Sequence, residues 1–305
     1  MNKRILQNVS ASVHQRLLNI ARNTARPFDE VLQYFAMERF LYRLSRSPHV
    51  DSFVLKGALL FRVWDMPDSR ATRDIDFLAY LDNSPSNLAA IVRDVCTVDD
   101  IDDGLKFDPD TVEAQRIKED TDYEGVRLRF RGRLGNARIS MQMDVGFGDL
   151  IHPGAVQADY PALLDLPAPS LRMYPPETVI AEKAEAMVYL GSLNSRMKDF
   201  YDIWRMSQQF NFEGSELCEA ISRTFDNRNT EIIEFDDLVV ELLDNDKLDQ
   251  QWVAFVRKSA LVGPNTFFQV LAPISDFLSP VFSSIKSGND FGRKWTAPGP
   301  WRVDN

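Results

Sequence analysis

Two aspartates lie two residues apart inside an apolar run, and this spacing constrains the chain more than any other feature of its sequence. Asp74 and Asp76 alternate with Ile75 and Phe77. The pattern predicts a buried strand over residues 74–81, and because successive strand side chains point to opposite faces, the two aspartates lie side by side on one face. Neighbouring carboxylates repel each other and lose hydration when buried, so we expect a cation between them.

A divalent metal bound by carboxylate oxygens, and shared with substrate phosphates, meets that requirement. Upstream, residues 53–57 form a second apolar strand that ends at Gly57, where the missing side chain lets a phosphate approach the backbone. A glycine, a short helix (here 58–64) and an Asp-x-Asp strand follow one another in metal-dependent nucleotidyltransferases. The simpler alternative is that the aspartates cap a turn or pair with Arg73.

The rest of the chain divides by its periodicity into a mixed first part and an almost entirely helical second part. Strands over residues 124–131 and 136–145 are separated by glycines and an asparagine, which predicts a hairpin. Residues 288–305 read as an extended tail. We predict an α+β fold with a small mixed sheet in a domain of residues 1–165, a helical domain of residues 166–305, and a site in the cleft between them. The other predicted elements are helices over 10–23, 28–46, 86–96 and most of 176–286, weaker strands within 105–120, and an irregular proline-rich segment over 153–176.

The composition is that of a soluble globular protein, with 44% hydrophobic and 26% charged residues. No apolar run reaches membrane-spanning length, the N-terminus has no signal-peptide pattern, and Cys96 and Cys218 are isolated, so we predict a reduced, cytoplasmic protein without membrane contact. The net charge of -10 argues against a general nucleic-acid binder. It is compatible with an RNA bound by a local basic patch, with an acidic metal site and with a basic protein partner.

A third carboxylate, Asp144, lies on the polar face of the second hairpin strand, near its end. On a strand beside the Asp-x-Asp strand, it fits two-metal phosphoryl chemistry, in which the pair holds the metals and the third carboxylate helps to activate the attacking hydroxyl. The alternative is an ordinary solvated aspartate at a strand end, followed by Gly146 and Gly148.

Lys183 lies within the apolar stripe of a helix that begins at Pro176 and ends at Gly191. An unpaired buried ammonium is costly, so this lysine needs a partner or a function. A short turn leads to a second, antiparallel helix, in which Asp199 and Asp202 share a face and Asp202 comes level with Lys183. Lys183 either contacts a triphosphate while one aspartate holds it, or forms a buried ion pair between two helices, and the two roles are compatible.

Four arginines alternate along the first hairpin strand and share one of its faces: Arg127, Arg129, Arg131 and Arg133. In an acidic protein such a row can bind the phosphates of a nucleotide or a tRNA. For most of the row the alternative is a solvated strand face that discourages pairing at a sheet edge.

Together these residues resemble the AbiEii/AbiGii nucleotidyltransferase toxin family, the group that includes the MenT toxins. Four blocks match in order, which is far more specific than an Asp-x-Asp pattern alone. The resemblance implies a DNA polymerase β-like nucleotidyltransferase core, a helical C-terminal half, and a toxin of a two-gene toxin–antitoxin system. The blocks are Glu38–Leu44 with Phe53–Gly57 and Thr72–Asp76, then Asp144–Asp149, Glu182–Val188 and Asn194–Asp202.

The resemblance also assigns roles to residues. It implies that Asp74 and Asp76 bind Mg²⁺ or Mn²⁺, and the hairpin pattern adds Asp144 as a third metal ligand. The predicted catalytic residues are Asp74, Asp76, Asp144, Lys183, Asp199 and Asp202.

One departure concerns the phosphate contact. The usual Gly-Ser or Gly-Gly pair of nucleotidyltransferases is Gly57-Ala58 here. Since Ala58 has no hydroxyl, the contact must come from backbone N–H groups or from Lys56. The predicted nucleotide-binding residues are Lys56, Gly57, Ala58, Arg73 and Lys183.

The sequence therefore predicts a metal-dependent nucleotidyltransferase toxin that transfers NMP from an NTP to a tRNA 3′ acceptor end and is paired with an antitoxin protein. MenT-type toxins add nucleotides to tRNA ends or to themselves, so transfer to a protein hydroxyl, on a target or on the toxin, is the second prediction. A non-catalytic binding module is an alternative of a different class, against which the intact Asp74, Asp76 and Lys183 argue.

Overall fold

The computed structural model describes residues 8–66, 71–99, 101–118, 124–259 and 261–303, and the chain divides into two units. Unit 1 comprises Met1–Gly148 and Val156–Met173, and unit 2 comprises Asp149–Ala155 and Tyr174–Asn305. The chain thus passes between the units three times, whereas the sequence pattern places one boundary after residue 165. Residues 119–120 of the predicted strand region and 304–305 of the predicted tail lie outside the described residues.

Unit 1 is built on a seven-stranded mixed sheet flanked by helices, which confirms the predicted α+β class. Its elements are α1 (Val9–Asn23), α2 (Phe28–Ser45), β1 (Phe53–Lys56), α3 (Leu60–Val63), β2 (Asp74–Ala79), α4 (Pro85–Thr97), β3 (Leu105–Lys118), β4 (Glu124–Leu134), β5 (Ala137–Gly146), β6 (Val156–Asp159) and β7 (Ser170–Met173).

The strand order is β3-β4-β5-β2-β1-β7-β6. β2 runs parallel to β5 and antiparallel to β1, so the aspartate strand lies inside the sheet with a partner on each side. The turn at Gly135 and Asn136 joins β4 to β5 and pairs Leu134 with Ala137, which confirms the predicted hairpin.

The apolar residues of the hairpin face a helix layer. Phe40 of α2 packs against the rings of Phe107 in β3 and Phe130 in β4, at centroid distances of 5.6 and 4.8 Å. Because strand side chains alternate, the residues that neighbour Phe107 in β3 and Phe130 in β4 project to the opposite face of the sheet. The polar residues of β2, β4 and β5 therefore share the face away from α2.

Two ion pairs are buried around α2. Glu38 and Arg39, both fully buried, contact each other at 2.8 Å, and Arg43 contacts Asp103 at the same distance. Burial raises the pKa of the Glu38 carboxyl, and Arg39 and the N–H of Leu163 only partly offset that effect. Glu38, Arg39 and Arg43 are the charged residues of the block Glu38–Leu44, and these ion pairs give them a structural role in unit 1.

Two strands lie in the segment that the sequence analysis describes as irregular, and for them that prediction is wrong. β7 pairs in parallel with β1 through Met173 and Leu55, and β6 pairs with β7. Leu171 and Met173 alternate inward, with 1% and 2% of their surface exposed. Four-residue strands between prolines are too short for a period of two to be recognised in sequence.

Unit 2 is mainly helical, as predicted, with a small three-stranded sheet. Its elements are α5 (Pro176–Leu190), α6 (Met197–Gln209), β8 (Phe212–Glu213), α7 (Gly214–Arg228), α8 (Phe235–Leu243), α9 (Asp246–Ser259), α10 (Phe267–Ser287), β9 (Arg293–Trp295) and β10 (Trp301–Val303).

By length and composition α10 could cross a membrane, and among the described residues it is the one helix that passes that test. Within unit 2 it packs against α6, α7 and α8. Ile274, Phe277 and Val281 have no exposed surface. In this structure α10 is therefore a core helix of unit 2.

The predicted extended tail is also wrong for residues 293–303, because β9 and β10 form within this segment and its tryptophans pack on α10. The indole N–H of Trp301 donates to the carbonyl of Phe277 at 2.8 Å, and that of Trp295 donates to Ser207 at 2.7 Å. The three rings of Phe277, Trp295 and Trp301 contact one another. Buried indoles with satisfied N–H groups fix this segment to unit 2.

Candidate active site

Asp74 and Asp76 share one face of β2, and both side chains are partly exposed. Ile75 and Phe77 are fully buried on the other face. The register of the sheet brings two more charged residues beside Asp76 on its own face, since Lys56 of β1 is its antiparallel partner and Asp144 of β5 its parallel partner. The observed register thus places Lys56, Asp76 and Asp144 in one row across the sheet.

Gly57 follows β1 and gives Asp76 its space. Its φ of +74° lies in the left-handed region, and a β-carbon built there would overlap the carboxylate of Asp76. Both observations require glycine at this position. The sequence analysis expects a phosphate to approach Gly57, whereas the structure shows a carboxylate against it. The next residue, Ala58, is buried, with 5% of its surface exposed.

Arg127 closes the same row of charges from the β4 side. Its Nε and Nη2 atoms donate to the two carboxylate oxygens of Asp144, each at 2.8 Å. Gln142 donates to one of these oxygens at 3.5 Å. The row therefore reads Lys56, Asp76, Asp144, Arg127, with a cation at each end and two carboxylates between them.

The pairing of Arg127 with Asp144 was missed at the sequence level, although the signal was present. A two-residue turn at Gly135 and Asn136 sets the hairpin register, and counting back from it brings Arg127 opposite Asp144. Arg127 is the arginine of the row whose register partner in β5 is a carboxylate, Asp144.

The donor set of β2 fits a divalent cation. Carboxylate oxygens are the ligands that Mg²⁺ and Mn²⁺ prefer, and the missing side chain of Gly57 leaves room for the Asp76 carboxylate. Among the described residues no three His, Cys, Asp or Glu side chains are grouped as a metal site, and both oxygens of Asp144 contact Arg127. The assignment of Asp144 as a third metal ligand stays a prediction.

Lys183 lies in unit 2, where it bridges α5 and α6 as the helix geometry predicts. Its Nζ atom is 2.6 Å from Asp199 Oδ1 and 2.8 Å from Asp202 Oδ2. Burial by itself raises the pKa of the Asp199 carboxyl, but Lys183 and Arg196 more than offset this and hold that pKa below its ordinary value. Two carboxylates orient the ammonium of Lys183, and the side chain as a whole keeps 16% of its surface exposed.

A second charged cluster holds the helix that carries Lys183. Arg228, at the end of α7, contacts Asp149 and Glu185 at 2.8 Å and Glu182 at 3.5 Å. Although burial lowers the pKa of Arg228, Glu182 and Asp149 raise it above its ordinary value. The hydroxyl of Thr230 donates to Glu185 at 2.6 Å.

Arg228 is a functional-region residue that the sequence pattern does not indicate. The available signal was the pair of acids that flanks Lys183 within an apolar helix, since buried carboxylates require a cation. Asp149, Glu182 and Glu185 belong to the blocks on which the family resemblance depends, and the structure gives them a structural role within unit 2.

The family model described as nucleotidyl transferase AbiEii toxin, type IV TA system, matches residues 39–273. The chain belongs to the AbiEii family. The match confirms the resemblance and shows that the protein is a nucleotidyltransferase of a toxin–antitoxin system. The matched residues include Asp74, Asp76 and Lys183.

Two solved structures from Helicobacter pylori are similar to this AbiEii-family chain. The protein JHP933 gives a TM-score of 0.47 at 16% identity, with 85% of this chain and 92% of that chain covered. A proposed nucleotidyltransferase gives a TM-score of 0.44 at 16% identity, with 86% and 98% covered. No curated protein matches the chain at a significant level.

Proposed function

We propose that this protein is a metal-dependent nucleotidyltransferase toxin that transfers NMP from an NTP to the 3′ acceptor end of a tRNA. The observation that carries the proposal is the pair Asp74 and Asp76 on one face of an interior strand, beside Gly57, in a chain of the AbiEii family. Family membership argues against a non-catalytic binding module, and it implies an antitoxin counterpart.

In this proposal Asp74 and Asp76 hold a divalent cation, Mg²⁺ or Mn²⁺. When bound, the cation neutralises charge on the triphosphate and polarises the groups that react. Lys56, which is the register partner of Asp76, lies beside the same site and is proposed to contact a phosphate. The other proposed nucleotide-binding residues are Gly57 and Ala58, through their backbone, and Arg73 and Lys183.

The reaction joins the 3′-hydroxyl oxygen of the RNA to the α-phosphorus of the NTP. The bond from that phosphorus to the oxygen bridging it to the β-phosphorus breaks, and pyrophosphate leaves. The hydroxyl proton passes to a carboxylate of the site, for which Asp144 is the proposed residue. Arg127 donates to both oxygens of Asp144 and fixes the direction of that carboxylate. Positioning of the substrates and neutralisation of charge supply most of the rate in this proposal.

Lys183 is proposed to bind the triphosphate. A lysine bound by two carboxylates loses less side-chain entropy when a ligand arrives, because its ammonium is already oriented. Asp199 and Asp202 act through Lys183 and are positioning residues in this account. The toxin is proposed to act in the cytoplasm, where NTP and tRNA are available.

The test incubates the protein with each α-labelled NTP, total tRNA and Mg²⁺, and separates RNA from protein on denaturing gels. We expect label on tRNA with at least one NTP, and none after EDTA treatment. Label on protein alone would support transfer to a protein hydroxyl and contradict the RNA acceptor. Absence of label on either polymer with every NTP would contradict the proposed function.

A further inference from the structure

On the face of the unit 1 sheet away from α2, basic residues continue from the row that contains Asp76. Through the β4–β5 register, Arg129, Arg131 and Arg133 lie on the same face as Arg127 and Asp144. These three arginines are exposed. We call this surface the arginine face and define it by Arg129, Arg131, Arg133 of β4 and the exposed Arg138 of β5.

The arginine face does not protect a sheet edge. β4 pairs with β3 on one side and with β5 on the other, so its backbone groups are already bonded. The structure shows no ion pair for Arg129 or Arg138 in the part of the chain that it describes. Arg129 donates only to the neutral side chain of Gln142, at 3.4 Å. In a chain with a net charge of -10, exposed arginines without an ion pair require an external anion or full hydration.

A pocket near the N-terminal end of α2 is lined both by residues of this face and by Asp74. It has a volume of about 390 Å³, and Arg73, Arg129 and Arg138 line it together with Asp29 and Asp74. The pocket is the size of a ligand site that can take a nucleotide unit. Asp74 thus belongs both to the proposed metal-binding pair and to the wall of a pocket that contains three guanidinium groups.

Two of the proposed NTP contacts, Lys56 and Gly57, lie on the other side of the Asp74–Asp76 strand from the pocket, whereas Arg73, another proposed contact, lines the pocket. Lys56 and Gly57 flank Asp76 from the β1 side of β2, whereas Gln142, Arg129 and the pocket flank Asp74 from the β5 and β4 side. A transfer reaction needs two substrates on either side of the reacting phosphorus, because the attacking and leaving oxygens lie roughly in line. The side with Lys56 and Gly57 suits the NTP, and the arginine side suits the acceptor.

We propose that the arginine face binds the phosphate backbone of the acceptor RNA, with Arg129 and Arg138 contacting phosphates close to the 3′ end that reaches Asp74. This inference rests on the proposed function, because it names the binding surface of the same site. Guanidinium groups on a strand match phosphate oxygens in two-point contacts. Such contacts position an RNA without reading its sequence.

The test measures binding of a fluorescent RNA minihelix with a single-stranded CCA end, in EDTA and without NTP, over a range of salt concentrations. The variant is Arg129→Gln with Arg138→Gln. The matched control is Arg16→Gln with Arg302→Gln, which removes two exposed arginines and the same charge. Binding of each NTP with Mg²⁺ and thermal melting are measured on the same proteins.

We expect the arginine-face variant to bind the minihelix roughly tenfold or more weakly, with a log–log salt slope smaller by about 1 to 2, while melting and NTP binding stay unchanged. The control should bind like the parent. An unchanged affinity and slope would overturn the inference, and so would a loss of NTP binding with RNA binding intact. If the parent does not bind the minihelix but still labels a protein, the inference fails while nucleotidyl transfer stands.

Discussion

Arg127 and Asp144 form a two-point ion pair across the β4–β5 hairpin, with both N···O distances at 2.8 Å. Asp144 is also the parallel register partner of Asp76. One guanidinium therefore stabilises the carboxylate that lies next to a proposed metal ligand, and like-charge repulsion within the row is reduced.

The first prediction follows from this pair. Arg127→Met should lower the free energy of unfolding by about 1–3 kcal/mol, because Asp144 is left largely buried beside Asp76 without its cation. Denaturant unfolding measures the change, and Arg129→Met, which alters an exposed arginine on the same strand, is the control. Equal stability of the two variants would show that Arg127 does not stabilise Asp144.

Gly57 supports a prediction with an internal control. Gly57→Ala should reduce nucleotide transfer at least about tenfold and destabilise the fold by roughly 1–3 kcal/mol, because it adds a strained φ and displaces the Asp76 carboxylate. Gly288 has a similar φ of +65°, and a β-carbon built there meets no atom within 4 Å. Gly288→Ala should therefore be destabilised by the backbone strain alone and should transfer nucleotide at the parent rate. Full activity in Gly57→Ala would contradict the close approach.

Lys183 is predicted to combine both of its proposed roles. Lys183→Met leaves Asp199 and Asp202, with 7% and 1% of their side chains exposed, facing each other without a cation. We expect a loss of roughly 2–4 kcal/mol at neutral pH, recovered in part as the solution is acidified and one carboxyl protonates. Transfer should fall about a hundredfold or more under conditions in which the variant is folded.

Two measurements separate these roles. Denaturant unfolding over a pH series reports the structural role, and the transfer rate with an NTP titration reports the ligand role. A folded Lys183→Met protein with the parent rate would leave Lys183 as a structural residue only.

The depressed pKa of Asp199 gives a pH prediction. A carboxyl whose pKa in the folded state lies below the unfolded value of 3.8 contributes stability above that value, and the contribution disappears as the pH falls through the folded pKa. The difference in unfolding free energy between the parent and Asp199→Asn should therefore be largest near neutral pH and shrink in strongly acidic solution. A difference that grows on acidification would contradict the ion pair with Lys183.

Much of the site was accessible from the sequence because it depends on local periodicity. A period of two fixes the shared face of Asp74 and Asp76, and a short turn between two helices brings Lys183 level with Asp202. The structure confirms both arrangements. Each of them links residues within one element or within two consecutive elements.

The parts that were missed depend on contacts between distant segments. Arg228 meets Asp149 across 79 residues, and Trp301 reaches Phe277 from a segment with no clear periodicity. β7 pairs with β1 through a single register pair, Leu55 with Met173. Local pattern carries no information on such pairings, because the energy that selects them comes from packing in the folded unit.

The transfer rates of Asp74→Asn and Asp76→Asn test the central claim, which is that these two carboxylates bind the catalytic metal. Asp110→Asn, at an exposed aspartate of β3, is the matched control. We predict that either variant loses roughly a hundredfold or more of the Mg²⁺-dependent transfer rate while melting no lower than the parent, because removing one charge relieves repulsion in the absence of metal. Transfer at the parent rate by either variant, with Mg²⁺ present and the control active, would contradict the two-carboxylate assignment.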